Sequence, residues 1–229
     1  MFSCFSFLRT VVLVAACVPA VSSLASGKNL RPIIAILTQP LDPSKNPHDT
    51  YIAASYVKFV ESAGGRVVPL HYDSPDSEIT KVLSSVNGVL FPGGGTPFEK
   101  GSQMRAAGET IYKFATSANN AGNIFPVWGT CLGFQFLAVL AANDDNVLCY
   151  KCFNTEGTPL ALNFTSKARH SLLFESMSDE LYNDLATQNI TENSHHDGIH
   201  PSMFLTNPKL KATFQVQRPC LLHSRPLIT

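Results

Sequence analysis

Residues 124–142 read Ile-Phe-Pro-Val-Trp, then Gly-Thr-Cys-Leu-Gly, then Phe-Gln-Phe-Leu-Ala-Val-Leu-Ala-Ala. A short apolar run thus passes into a helix-forming run across a cysteine flanked by Gly129 and Gly133. A strand that turns this sharply into a helix lifts one side chain above the end of a sheet, and the glycines leave the strained turn room. The spacing predicts a nucleophile elbow with Cys131 at its tip. Sitting at the N-terminus of the helix that follows would favour the thiolate, the attacking form of the sulfur. The plainer alternative is a buried structural cysteine beside two glycines. The strand before the turn and the helix after it weigh against that alternative.

The rest of the chain repeats the alternation. Short continuous apolar runs predict strands over 32–37, 66–70, 88–91 and 124–128, as expected for strands covered on both faces. Helical periodicity predicts helices over 51–63, 77–86, 104–118 and 134–142. The first of these places Ile52, Ser55, Tyr56, Phe59 and Val60 on one stripe and stops at Gly64 and Gly65. Strands alternating with helices define an α/β fold with an open, mostly parallel sheet and helices on both faces. Ligands in such sheets sit beyond the carboxyl ends of the strands. Pro92-Gly93-Gly94-Gly95 and Cys131 both lie there, so the amides of Gly94 and Leu132 are candidates for an oxyanion hole. The glycine loop lacks the Lys and Ser/Thr of a phosphate-binding loop, which makes a nucleotide site the poorer reading.

Charge and cysteine content narrow the function classes. With 17 Lys plus Arg against 17 Asp plus Glu in 229 residues, no basic excess draws in a phosphate backbone, and no nucleic-acid partner is expected. Arg9, the apolar run from Val11 to Val18 and the small residues Ala20, Ser22, Ser23 and Ala25 read as a cleaved secretory signal over 1–25. That run falls short of the roughly 20 residues of a membrane span, so no membrane partner is expected. Four cysteines follow the leader. Cys149 and Cys152 have CxxC spacing without a second pair or paired histidines, which argues against a metal and leaves either a disulfide or two plain thiols. The sequons at Asn163 and Asn189 are compatible with the secretory route. No cofactor motif is present.

The segments YIAASYVKFVESAGGRVVPL, NGVLFPGGG and FPVWGTCLGF resemble the gamma-glutamyl hydrolases. These are thiol peptidases of the class I glutamine-amidotransferase-like, flavodoxin-like fold. They trim poly-gamma-glutamate from folates and antifolates in lysosomes, vacuoles or outside cells. The resemblance covers residues 31–216, within a domain read as 26–216. It implies Cys131 as nucleophile, Tyr56 near the substrate and His195 as a histidine near the active site, with His196 and His200 close by in sequence. It also implies a folylpoly-gamma-glutamate substrate, no cofactor and a homodimer.

Two positions depart from the family pattern. Gln135 stands where the family usually has an acidic residue. The family draws its general base from a Trp-His-Pro-Glu type motif near the C-terminus, whereas the one tryptophan here is Trp128. The tail over 217–229 is divergent, and its single histidine, His223, is followed by Ser-Arg-Pro, a poor candidate for the base. The resemblance therefore implies a C-terminally incomplete domain whose general base is unassigned. Two alternatives accompany the hydrolase reading: a catalytically weak or inactive form that only binds folate polyglutamates, and a glutamine amidotransferase subunit. The leader argues against the second.

Overall fold

The computed structural model describes residues 29–41, 46, 49–171 and 173–214. The expected leader over 1–25 and the tail over 217–229, with Cys220 and His223, lie outside the described residues.

The chain runs β1 (Ile33–Leu37), β2 (Gln39–Pro40), β3 (Thr50–Tyr51), α1 (Ala54–Ser62), β4 (Arg66–Leu70), α2 (Asp76–Leu83), β5 (Gly88–Phe91) and α3 (Gln103–Asn120). It continues with β6 (Val127–Gly129), α4 (Leu132–Ala142), β7 (Leu148–Cys149), β8 (Thr158–Leu160), α5 (Asp179–Thr187), β9 (Thr191–Asn193), β10 (Gly198–Ile199), α6 (Met203–Thr206) and α7 (Pro208–Thr213). Four strands form a parallel sheet in the order β4-β1-β5-β6. Three small antiparallel ribbons, β2–β3, β7–β10 and β8–β9, surround it.

Side-chain alternation along the strands assigns the two faces. Ala35, Leu37, Val89 and Phe91 pack with Ile79 and Leu83 of α2, Ile111 of α3 and Phe136 of α4. On the opposite face, Ile36 and Leu90 meet Val60, Tyr56 and Val57 of α1. The parallel sheet therefore carries helices on both faces.

Helix α3 presents Met104, Ala107, Gly108, Ile111 and Ala115 inward, a three-and-four spacing, and Ser102 Oγ caps its start by accepting from Arg105 N. Gly108 is flat because the Phe136 ring occupies the space a Cβ would need. Helix α4 is buried nearly all round, from Gln135 through Ala142, as a helix enclosed by a sheet and other helices must be. Phe134 adds a cluster with Phe204 and Phe214, which docks α6 and the end of α7 against α4.

Two elements differ from the sequence expectation. The first helix begins at Ala54, because Thr50 and Tyr51 pair with Pro40 and Gln39 instead. Its stripe is correspondingly rotated: Ser55 and Phe59 face outward, while Val57 and Val60 face the sheet. Phe59 finds an aromatic neighbour in Trp128, with ring centroids 6.4 Å apart. The strand expected over 124–128 is confined to Val127–Gly129, and Ile124 is 90% exposed. Pro126 has no N–H to give the ladder, and its carbonyl accepts the first bond, from Val89 N at 3.0 Å.

Cys131 has φ 54° and ψ −116°, a conformation that costs about 1–3 kcal/mol for a residue with a Cβ. Burial of Leu137, Val139 and Leu140 on the helix that follows contributes about 1.5–3 kcal/mol each, enough to hold the turn in place. Close approach depends on Gly133, where a Cβ would collide with the Phe91 carbonyl. Gly133→Ala is expected to push α4 off the sheet and destabilise the protein by about 1–3 kcal/mol, read from urea denaturation.

Candidate active site

Strand β6 ends at Gly129 and α4 starts at Leu132, so Cys131 is carried on a strand-to-helix turn at the carboxyl end of the sheet. Among the described residues it is the free cysteine, and it is half-buried. The Pro92-Gly93-Gly94-Gly95 loop leaves the neighbouring strand β5 at the same end. Leu132 opens α4 and Gly94 lies in that loop, and both line the same cleft as Cys131, so their backbone amides flank the nucleophile. Tyr56, from α1, reaches the loop from the other side, and its hydroxyl accepts from Gly93 N at 2.8 Å. Gly93 is packed so tightly that a Cβ there would lie 2.5 Å from that hydroxyl and 2.9 Å from Cys131 Cβ. Burial pushes the Tyr56 phenol up, so it stays protonated at the site.

His195 lies 64 residues beyond Cys131 in the chain, and its Nδ1 stands 3.9 Å from the sulfur, the outer reach of a sulfur hydrogen bond. The histidine holds the thiol below the ordinary cysteine range, with the Leu132 and Gly94 amides adding to the effect and burial opposing it. The same contact raises the imidazole against its own burial. Each group thus favours the charged form of the other, a thiolate beside an imidazolium. Neither neighbouring histidine contributes: His196 Nε2 pairs with Glu156 at 2.8 Å, and His200 Nδ1 lies 2.7 Å from Ser202 Oγ.

The segment bearing His195 is fixed along its length. His195 O accepts from Thr155 N and Thr155 Oγ1, each at 3.2 Å, and His196 O accepts from Phe153 N at 3.0 Å. Gln135 Nε2 donates to Asp197 O, and Lys151 N donates to Asp197 Oδ1, both at 2.7 Å. Gly198 and Ile199 then pair with Cys149 and Leu148. Cys149 and Cys152 form a disulfide that closes the loop carrying Lys151. Where the sequence left Cys149 and Cys152 as a bridge or two thiols, the bridge is the state observed.

Two clefts meet at the sulfur. One, of about 390 Å³, is bounded by Gly94, Phe98, Leu132, Tyr150 and His195. The other, of about 530 Å³, runs along the edge of β6 between Trp128, Phe134, Phe153, Ile199 and Phe204. Cys131, Gln135, His195 and Asp197 border both. Among the described residues no group of three His, Cys, Asp or Glu is arranged to hold a metal.

Cys131, Tyr56, Gly94, Leu132 and His195, singled out in the sequence, therefore converge within one site. Sequence reasoning missed Gln39, which braces the glycine loop, and Asp197, which ties down the histidine segment. Only the position of Gln39 directly after an apolar strand offered a signal for the first.

A cysteine on a strained strand-to-helix turn above a parallel sheet, beside a glycine loop and a histidine, defines the class of α/β proteins built on a thiol nucleophile elbow. Comparison with known proteins narrows the class: the Peptidase C26 family model matches residues 32–200, and the chain belongs to that family. The chain is 41% identical over 199 residues to the gamma-glutamyl hydrolase of Rattus norvegicus, covering 86% of this chain and 62% of the relative. It is 40% identical over 190 residues to gamma-glutamyl hydrolase B of Dictyostelium discoideum, covering 82% and 54%. With the gamma-glutamyl hydrolase of Homo sapiens it shares 37% over 188 residues, covering 81% and 58%. The chain thus spans between 54% and 62% of the length of these relatives.

Replacing His195 with Asn removes the main cause of the lowered thiol. The pH at which Cys131 becomes half-maximally reactive toward iodoacetamide is expected to rise toward the ordinary cysteine range, with a Cys131→Ser sample as the blank.

Proposed function

We propose that the protein is a thiol hydrolase that cleaves gamma-glutamyl bonds of folylpoly-gamma-glutamates through an acyl-enzyme on Cys131. The observation that carries this reading is Cys131 on its strand-to-helix turn with His195 Nδ1 3.9 Å from the sulfur and Gly94 and Leu132 lining the same cleft. The names of the relatives supply the substrate class.

In the proposed cycle, His195 takes the thiol proton and the thiolate attacks the gamma-carbonyl carbon. Negative charge develops on the carbonyl oxygen, where the amides of Gly94 and Leu132 stabilise it. The tetrahedral species collapses, the C–N bond breaks, and His195 returns its proton to the leaving amine. A thioester remains on Cys131. His195 then deprotonates a water that attacks the thioester, the carboxylate product departs, and Cys131 is regenerated. Clefts on both sides of the sulfur suit a substrate that extends in two directions from the cleaved bond. His195 borders both clefts, and Tyr56 braces the glycine loop beside them. In this reading His195 serves as the base that the sequence left unassigned.

The secretory signal read over 1–25 supports a route to the cell exterior, lysosome or vacuole. Among the described residues no helix is long and apolar enough to cross a membrane. Asn189 is exposed and stands ready for a glycan, with its Oδ1 accepting from Ala161 N at 3.1 Å. Asn163 is partly buried. Assembly is proposed as a homodimer.

The deciding assay is hydrolysis of a folate pentaglutamate by this polypeptide at mildly acid pH. Cys131→Ser is expected to abolish turnover, and His195→Asn to lower it by about 10²–10⁴. The pH profile should rise as Cys131 ionises and fall as the raised imidazole loses its proton. Binding without turnover in the unmodified chain would leave only a folate-polyglutamate binder, and turnover of free glutamine alone would make it a glutaminase.

A further inference from the structure

Gln39 is 2% exposed, lies in β2 directly after the central strand β1, and spends its whole side-chain amide on the glycine loop. Its Nε2 donates to Gly93 O at 3.1 Å and approaches Pro92 O at 3.5 Å. Its Oε1 accepts from Thr96 Oγ1 at 3.0 Å. Two carbonyls on one end of the amide fix its orientation, because a flipped amide would set its oxygen against both of them.

Gly93 is consequently gripped at both polar groups. Its N–H donates to Tyr56 Oη and its carbonyl accepts from Gln39. The carbonyl of Gly93 and the N–H of Gly94 belong to one planar, trans peptide, so they point in opposite directions. Holding the carbonyl on Gln39 turns the Gly94 N–H the other way, and Gly94 lines the same cleft as Cys131. A flipped peptide would present a carbonyl oxygen to the sulfur and repel both a thiolate and an oxyanion. Space enforces the same arrangement, since a Cβ on Gly94 would collide with Gln39 Oε1.

We infer that Gln39 is a positioning residue: by binding the Gly93 carbonyl it sets the orientation of the Gly93–Gly94 peptide and keeps the Gly94 N–H aimed at the nucleophile. It touches neither the sulfur nor, in the proposed cycle, the substrate. The inference rests on the hydrolase reading for its catalytic consequence, but its geometric content can be read from the thiol alone.

The test compares Gln39→Glu and Gln39→Met with the unmodified chain. Glutamate keeps the shape and replaces the donor with a second acceptor, whereas methionine keeps the length and removes the donor. Iodoacetamide alkylation of Cys131 is followed against pH, with Cys131→Ser subtracted, beside hydrolysis of the folate pentaglutamate. Folding is checked by near-UV circular dichroism.

Both variants are expected to alkylate about tenfold more slowly below the midpoint of the profile, with the midpoint displaced upward. Hydrolysis should lose about 10²–10³ in kcat with KM little changed, the scale of one lost oxyanion donor. If Gln39→Glu fails to fold, Gln39→Met decides. A folded variant with the alkylation profile of the unmodified chain overturns the inference. Alkylation of the unmodified chain without turnover would instead overturn the hydrolase reading and leave the alkylation comparison decisive for Gln39.

Discussion

The close approach of α4 to the parallel sheet is the constraint on which the rest of the molecule depends. It is possible because Gly129 and Gly133 carry no Cβ, and it leaves Cys131 in a backbone conformation that a side chain ordinarily avoids. A buried apolar helix holds that conformation, so the reactive turn and the hydrophobic core are one structural unit. Packing changes along Phe136, Val139 or the Phe91 carbonyl would be transmitted directly to the sulfur.

The parts legible in the sequence are those whose signal is local. Strands β4 and β5 stand where continuous apolar runs placed them, and the glycine-flanked cysteine announced its own turn. Helix α4 read clearly because every residue from Phe136 to Ala142 is apolar. The ribbon of β2 and β3 was not legible, since pairs of two residues carry no periodicity. Its formation moved the start of α1 and, with it, the direction of Phe59. The partner of Cys131 was harder still. Three histidines within six residues offer no local reason to choose one, and the choice is made by tertiary bonds to Thr155, Phe153 and Gln135. Gln39 was missed because a single polar residue after a strand looks like the beginning of a turn.

The site is assembled from two kinds of support. The elbow side is held by hydrophobic packing, which sets position but tolerates small adjustments. The loop that carries Gly94 and the segment that carries His195 are held by directional bonds to nearly buried amides, Gln39 and Gln135. Such amides have few alternative partners, and leaving one unsatisfied costs about 1–3 kcal/mol. Polar precision is thereby confined to the two elements that must aim an N–H or an imidazole at the sulfur.

The separation of 64 positions between Cys131 and His195 also sets an order of events. During synthesis the elbow can form from neighbouring segments while the histidine has yet to leave the ribosome. Over that interval the sulfur lacks the contact that does most to lower its pKa. A nascent chain thus passes through its most exposed stage with a comparatively sluggish thiol, and acquires a reactive one only when the later segment docks. The reactivity of the nucleophile is thus set by a segment made after it, so the elbow alone does not carry the thiol's full activation.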